Sequence, residues 1–177
     1  STIAAVHPYW IHRQVPGSRM VDNYGHEVIS SNRREIHFGL TPGGCFDHPG
    51  VWDHMERFLE QVVTRYRSAD NLRGWDAWNE LRWNVQADGM VCYCPYTLAA
   101  FRNWLQLKYG SLEALNEAWV RRYRSWRDVR PGKEPGRPYT EMMAFEDFIT
   151  WRANQHGKMR YDLIKGLDPD HLVTVHG

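Results

Sequence analysis

The 177-residue sequence predicts an α/β fold, a partial (β/α)8 barrel, and three observations predict it. Short apolar runs at Thr2 to Val6, Leu72 to Trp78 and Leu172 to His176 read as buried strands. Two long stretches of apolar residues at helical spacing lie between them, and strand, helix, strand, helix, strand is the order in which parallel strands cross over. The middle run, Gly74-Trp75-Asp76-Ala77-Trp78-Asn79-Glu80, stops on a polar pair, and barrels of this kind keep their chemistry at the C-terminal ends of their strands. A usual barrel needs roughly 250 residues, so the chain is expected to be one piece, residues 1–177, of a single catalytic domain.

The elements follow in order. After the first strand, Val51, Met55, Phe58, Leu59, Val62, Val63 and Tyr66 recur at helical spacing, which predicts a helix from about Pro49 to Arg67 with proline in its first turn. The second strand is too short for a helix and too apolar for a loop. About sixty residues then separate Glu80 from the next crossover helix, far more than a usual strand-to-helix connection. Residues 81–140 are therefore expected to form an inserted subdomain on the catalytic face. Within it, helices are expected from Pro95 to Tyr109 and from Ser111 to Arg122, with Gly110 as the stop between them and Ser111 as a cap. Arg130 to Pro138, rich in proline and glycine, reads as a solvated loop. Met143, Phe145, Phe148, Ile149, Met159, Leu163 and Ile164 predict the second crossover helix, from about Glu141 to Gly166.

Glu80 is the candidate catalytic acid. A carboxyl crowded by indole rings loses water, which disfavours its charged form and suits it to general acid work near neutral pH. Trp75, Trp78 and Trp83 are expected to supply that wall, and Asn79 to donate to a substrate hydroxyl. Residue types alone leave open a plainer reading, in which Glu80 is solvated or paired with Arg73 or Arg82. His7 and Trp10, just beyond the first strand, are candidate substrate contacts with Trp78, and His176 ends the last strand facing the same side.

Trp75-Asp-x-Trp78-Asn79-Glu80 resembles the acid/base motif of the retaining glycosidases built on a (β/α)8 barrel. Cys92-Tyr-Cys94, Phe101 to Leu105, Lys108-Tyr109-Gly110 and Ser111 to Trp119 closely resemble glycoside hydrolase family 42, the β-galactosidase-like family. The resemblance implies that the three strands are the third to fifth of the barrel, with Glu80 as acid/base and Asn79 on the hydroxyl beside the anomeric carbon. It implies a terminal β-galactoside or related carbohydrate as substrate, and a homotrimer for the longer protein. The nucleophile of such enzymes is a Glu on the seventh strand, which lies outside this sequence, so the chain alone is expected to be inactive. Glu134, Glu141 and Glu146 are poorly placed to substitute. Thr41 stands where the family usually has an arginine that helps hold the sugar, which leaves the sugar itself open. The alternative is a non-catalytic carbohydrate-binding or assembly protein derived from such a barrel.

Three cysteines are an odd number, and Cys92 and Cys94 are spaced poorly for a mutual disulfide but well for two thiolates on one metal. The resemblance implies a structural zinc held by Cys45, Cys92, Cys94 and a fourth cysteine, at whose position this chain has Thr97. His48, another side chain or water is then needed to complete the site; the plainer reading is three reduced cysteines packed as small apolar groups. No cofactor is expected for catalysis. With 22 basic against 21 acidic residues, the net charge of +1 implies no nucleic-acid partner, and no apolar run is long enough to imply a membrane span. No leader is visible at Ser1, so a cytoplasmic location is the expectation, although the N-terminus reads as truncated. The 9 Trp, 9 Tyr and 6 Phe suit both sugar stacking and bulky core packing.

Overall fold

The computed structural model describes residues 2–4, 11–28, 44–79, 91–132 and 139–176. Its order is β1 (Thr2–Ala4), α1 (Ile11–Gln14), α2 (Pro49–Tyr66), β2 (Gly74–Asn79), α3 (Pro95–Tyr109), α4 (Leu112–Trp119), α5 (Tyr139–Leu167) and β3 (Leu172–His176). The strands form one parallel sheet in the order β1-β2-β3, with Ile3 opposite Trp75 and Trp75 opposite Val173. This is an α/β arrangement in which α2 and α5 both pack on the strands they connect.

Alternation along β2 decides which face meets the helices. Trp75 and Ala77 are fully buried with Met55, Leu59 and Val63 of α2 and Ile164 of α5. The other face carries Asp76, and Leu172, opposite Gly74 on that face, is 75% exposed. Gly74 is required by close approach, because a Cβ there would stand 2.8 Å from the Leu172 carbonyl oxygen. Between Asp76 and Asn79 the register against β3 shifts, so the pleat is interrupted at the end of β2.

Helix α2 begins as expected at Pro49, with His48 as its cap: the His48 side chain accepts from the Gly50 N–H at 3.1 Å. Val51, Met55, Leu59 and Val63, four residues apart, form its buried stripe. Helix α3 matches its expected bounds and stops at Gly110, whose φ of 76° suits glycine. Helix α4 ends at Trp119, three residues before the expected Arg122. Val120 turns into the left-handed region (φ 55°), and the turn lets Arg121 make two bonds to the Glu141 carboxylate, at 2.6 and 3.0 Å. An ion pair on the neighbouring helix thus overrides helical propensity. Glu141 is 3% exposed and also accepts from the Tyr123 hydroxyl, so it serves the packing of α4 on α5.

Helix α5 runs for 29 residues, about 43 Å, and serves two cores. Its first half packs Phe145 and Phe148 against Phe101, Leu105, Leu115 and Trp119 of α3 and α4. Its second half packs Ile164 against the strands. Asp168, just past its end, accepts from the Trp75 indole at 2.8 Å and pairs with His171, which ties α5 to β2 and to the start of β3. Among the described residues no helix is long and apolar enough to cross a membrane.

Candidate functional site

Two groups of residues meet near the end of β2. The first is the strand end itself. Asn79 is the last residue of β2 and pairs in register with His176, the last residue of β3. Glu80, His7, Trp10, Thr41 and Trp83 lie outside the described residues. Trp78 is buried, with 7% exposure; its ring meets Phe46 edge-on at 4.8 Å and lies 4.0 Å from the Arg160 guanidinium carbon. Trp75 is buried on the helix-facing side. Both indoles pack the strand against its helices, and the wall expected of them around Glu80 falls on a residue outside the described ones.

No local signal in the sequence marks Asp76, whose Oδ1 is buried on the face of the sheet opposite Trp75 and Ala77 and has no hydrogen-bond partner among the described residues. The same holds of Arg160: it is 1% exposed, it donates from Nη1 to the Ala77 carbonyl at 3.3 Å, and its Nε and Nη2 have no partner among the described residues. Burial pushes its guanidinium down to about 9. A cation held this far from water is unusual, and it sits directly behind the strand end.

The second group is the cysteine cluster. Cys45 precedes α2, Cys92 lies in the segment entering α3, and Cys94 caps α3; all three are buried and their sulfurs lie within 4.8 Å of one another. Cys94 Sγ is 3.3 Å from Cys45 Sγ. Backbone N–H groups point at the sulfurs: Val21 N and Cys94 N donate to Cys92 Sγ at 3.3 and 3.4 Å, and Thr97 N donates to Cys94 Sγ at 3.4 Å. Hydrogen bonds from Cys45, then Cys92, push the Cys94 thiol down, whereas burial leads in pushing Cys45 up. Only one of three crowded thiols can carry charge alone, and a cation would let all three do so.

The donor set fits zinc. Three soft sulfurs at this separation suit a tetrahedral ion, for which bonds of ~2.3 Å place sulfurs about 3.8 Å apart. His48 does not join them; its ring caps α2 and packs on Tyr96. Beside the cluster, Asp47 accepts from Arg152 Nε at 2.6 Å and lies 3.5 Å from His156 Nε2, joining the start of α2 to α5. Burial alone would raise the Asp47 carboxyl, but His156, Arg152 and the Thr97 hydroxyl outweigh it and hold it below the usual carboxylate range. Arg152, His156 and Arg160 recur at every fourth position of α5. No local signal in the sequence marks that pattern as buried.

The sequence model of the glycoside hydrolase 42 β-galactosidase family matches residues 1–176. The β-galactosidase Bga of Halorubrum lacusprofundi is 29% identical over 98% of this chain and 24% of its own length. The β-galactosidase BgaB of a Geobacillus species is 30% identical over 99% of this chain and 25% of its own. Among solved structures, the polyextremophilic β-galactosidase of Halorubrum lacusprofundi superposes with a TM-score of 0.79 at 26% identity, covering 98% of this chain and 26% of that one. The β-galactosidase of Bacillus circulans sp. alkalophilus shares the fold, with a TM-score of 0.76 at 23% identity over 97% of this chain and 26% of its own. The chain thus spans about a quarter of the length of these relatives.

Proposed function

The chain belongs to glycoside hydrolase family 42, and from that premise we propose that it supplies the acid/base side of a retaining, β-galactosidase-like barrel, as its third to fifth strands. The observation that carries this reading is the sheet. Three parallel strands have one face covered by α2 and α5, and Asn79 and His176 stand in register at the C-terminal edge. Residues that follow such an edge project where barrel enzymes work.

In this reading Glu80 protonates the departing glycosidic oxygen and then activates water. A second carboxylate, about 5–5.5 Å away in the complete barrel, attacks the anomeric carbon. The chain alone lacks that nucleophile and is inactive. Asn79 holds the hydroxyl beside the anomeric carbon, His7 and Trp10 line the sugar site, and the substrate is a β-galactoside or related terminal sugar. The longer protein is a homotrimer. Trp78 contributes from behind, by fixing the strand end against Phe46 and Arg160. A structural zinc on Cys45, Cys92 and Cys94 ties the start of α2 to the start of α3 by its affinity for thiolates, and takes no part in bond cleavage.

The test is Glu80→Gln in a protein that carries this segment with the rest of the barrel. Hydrolysis of glycosides with poor leaving groups should collapse, whereas activated aryl glycosides, which need little protonation, should be spared more. Equal loss on both substrates would sink the acid assignment.

A further inference from the structure

We propose that Thr97 is the fourth ligand of the cysteine site, its hydroxyl oxygen facing the metal and its proton donated to Asp47. The proposal rests on the reading that the three cysteines hold a metal, and it adds how this chain completes the site. Thr97 is fully buried in the first turn of α3, with its Oγ1 3.1 Å from Cys45 Sγ and 3.5 Å from Cys94 Sγ. For a tetrahedral ion bound by sulfur at ~2.3 Å and oxygen at ~2.1 Å, the sulfur-to-oxygen edge is about 3.6 Å. The hydroxyl thus already stands near that edge distance from two of the three sulfurs.

The second observation is Asp47. Its side chain is 2% exposed, and although Oδ1 accepts from Arg152, buried Oδ2 has no hydrogen bond of ordinary geometry among the described residues, while the Thr97 hydroxyl lies close enough to help hold the carboxyl down. A buried carboxylate oxygen without a donor is costly and calls for one. Without metal, the Thr97 hydroxyl and the thiols can share protons among themselves. With a metal, the three thiols lose their protons to solvent and become thiolate acceptors only. The Thr97 proton is then best placed on Asp47, on whose carboxyl that hydroxyl already acts. Donation in that direction turns an oxygen lone pair toward the ion and makes a neutral hydroxyl a better ligand, as carboxylates do for metal-bound histidines.

Charge argues the same way. Three thiolates on a divalent ion leave a net charge of −1, and a fourth thiolate would add another beside Asp47 in a buried site, with Arg152 as the neighbouring cation. A neutral oxygen ligand avoids that cost. The link also runs onward: Asp47 holds Arg152 and His156 of α5, so an ordered metal site fixes the contact between α2 and α5.

The experiment uses the protein that carries this segment with the rest of its barrel, reduced and stripped of metal, and titrates it with Zn(II) against a chromophoric chelator and with Co(II) by absorption. Far-UV circular dichroism of each apo-variant checks folding. The wild type should bind one ion. Thr97→Val should weaken Zn(II) binding tenfold or more, and Asp47→Asn by about ten- to hundredfold. Thr97→Cys should keep one ion per chain and gain thiolate-to-cobalt charge-transfer intensity, which shows that position 97 reaches the metal even if the other variants fold poorly. Wild-type affinity in Thr97→Val, or unchanged cobalt intensity in Thr97→Cys, overturns the proposal while leaving a three-cysteine site standing. No stoichiometric binding by the wild type overturns the metal reading itself.

Discussion

Arg160→Met should stabilise the protein. Arg160 is fully buried behind Trp78, and its guanidinium is pushed down from the usual ~12.5 to about 9, so burial disfavours its charge by about 5 kcal/mol at ~1.4 kcal/mol per tenfold. Against this stand the Trp78 ring at 4.0 Å, worth about 2 kcal/mol when desolvated, and one long hydrogen bond to the Ala77 carbonyl, worth about 1 kcal/mol. Roughly 2 kcal/mol of cost remains, and two donors have no partner among the described residues. Methionine keeps most of the stem, removes the charge and packs on the same ring. The expected gain is about 1–2 kcal/mol, or about 2–8 °C in Tm. Urea unfolding followed by tryptophan emission measures it. Arg160→Ala is the control: it removes the same charge but leaves a cavity, and should lose about 2 kcal/mol or more relative to Met. A loss of about 3 kcal/mol in Arg160→Met would refute the reasoning, because that is the cost of breaking a satisfied buried ion pair.

Val120→Gly should also stabilise, by about 0.5–1 kcal/mol. A β-branched residue at φ 55° is strained, and at 84% exposure its side chain has little packing to lose; a lower midpoint in urea would show that the turn carries no such strain. Stability should fall with pH before the carboxylates titrate. Burial foremost, then the charge of Arg152, keeps His156 neutral below the usual imidazole range, outweighing Asp47. The unfolded chain therefore takes up a proton near pH 6.5 that the folded one refuses. Stability should hold above pH 7 and drop by as much as about 1 kcal/mol by pH 5.5. His156→Gln should flatten that window in thermal melts, and an unchanged slope would remove His156 as the cause.

Much of the fold was legible because it is written in local periodicity. The stripe Val51, Met55, Leu59 and Val63 predicts α2 almost to its ends, and Gly110 and Ser111 mark the break between α3 and α4. The apolar run up to Asn79 predicts the central strand, and the spacing of Cys92 and Cys94 marks a metal-like cluster. The family, too, is readable from the residues from Trp75 to Trp119.

What only the tertiary structure decided involves groups far apart in sequence. Cys45 reaches Cys94 across 49 residues, and Asp47 reaches Arg152 across 105. Neither pairing has a local pattern, because a chain segment carries no record of what folding brings against it. Position 97 reads as a lost ligand until Thr97 is seen 3.1 Å from a sulfur. No local pattern in the sequence pairs Trp78 with Arg160, whose guanidinium is found on its ring. Arg121 shortens α4 by pairing with Glu141, an energy that no propensity includes. The sequence by itself determined the elements, their order and the family; the packing of α5 across both cores decided which polar side chains are buried together, since burial is a property of the assembled surfaces alone.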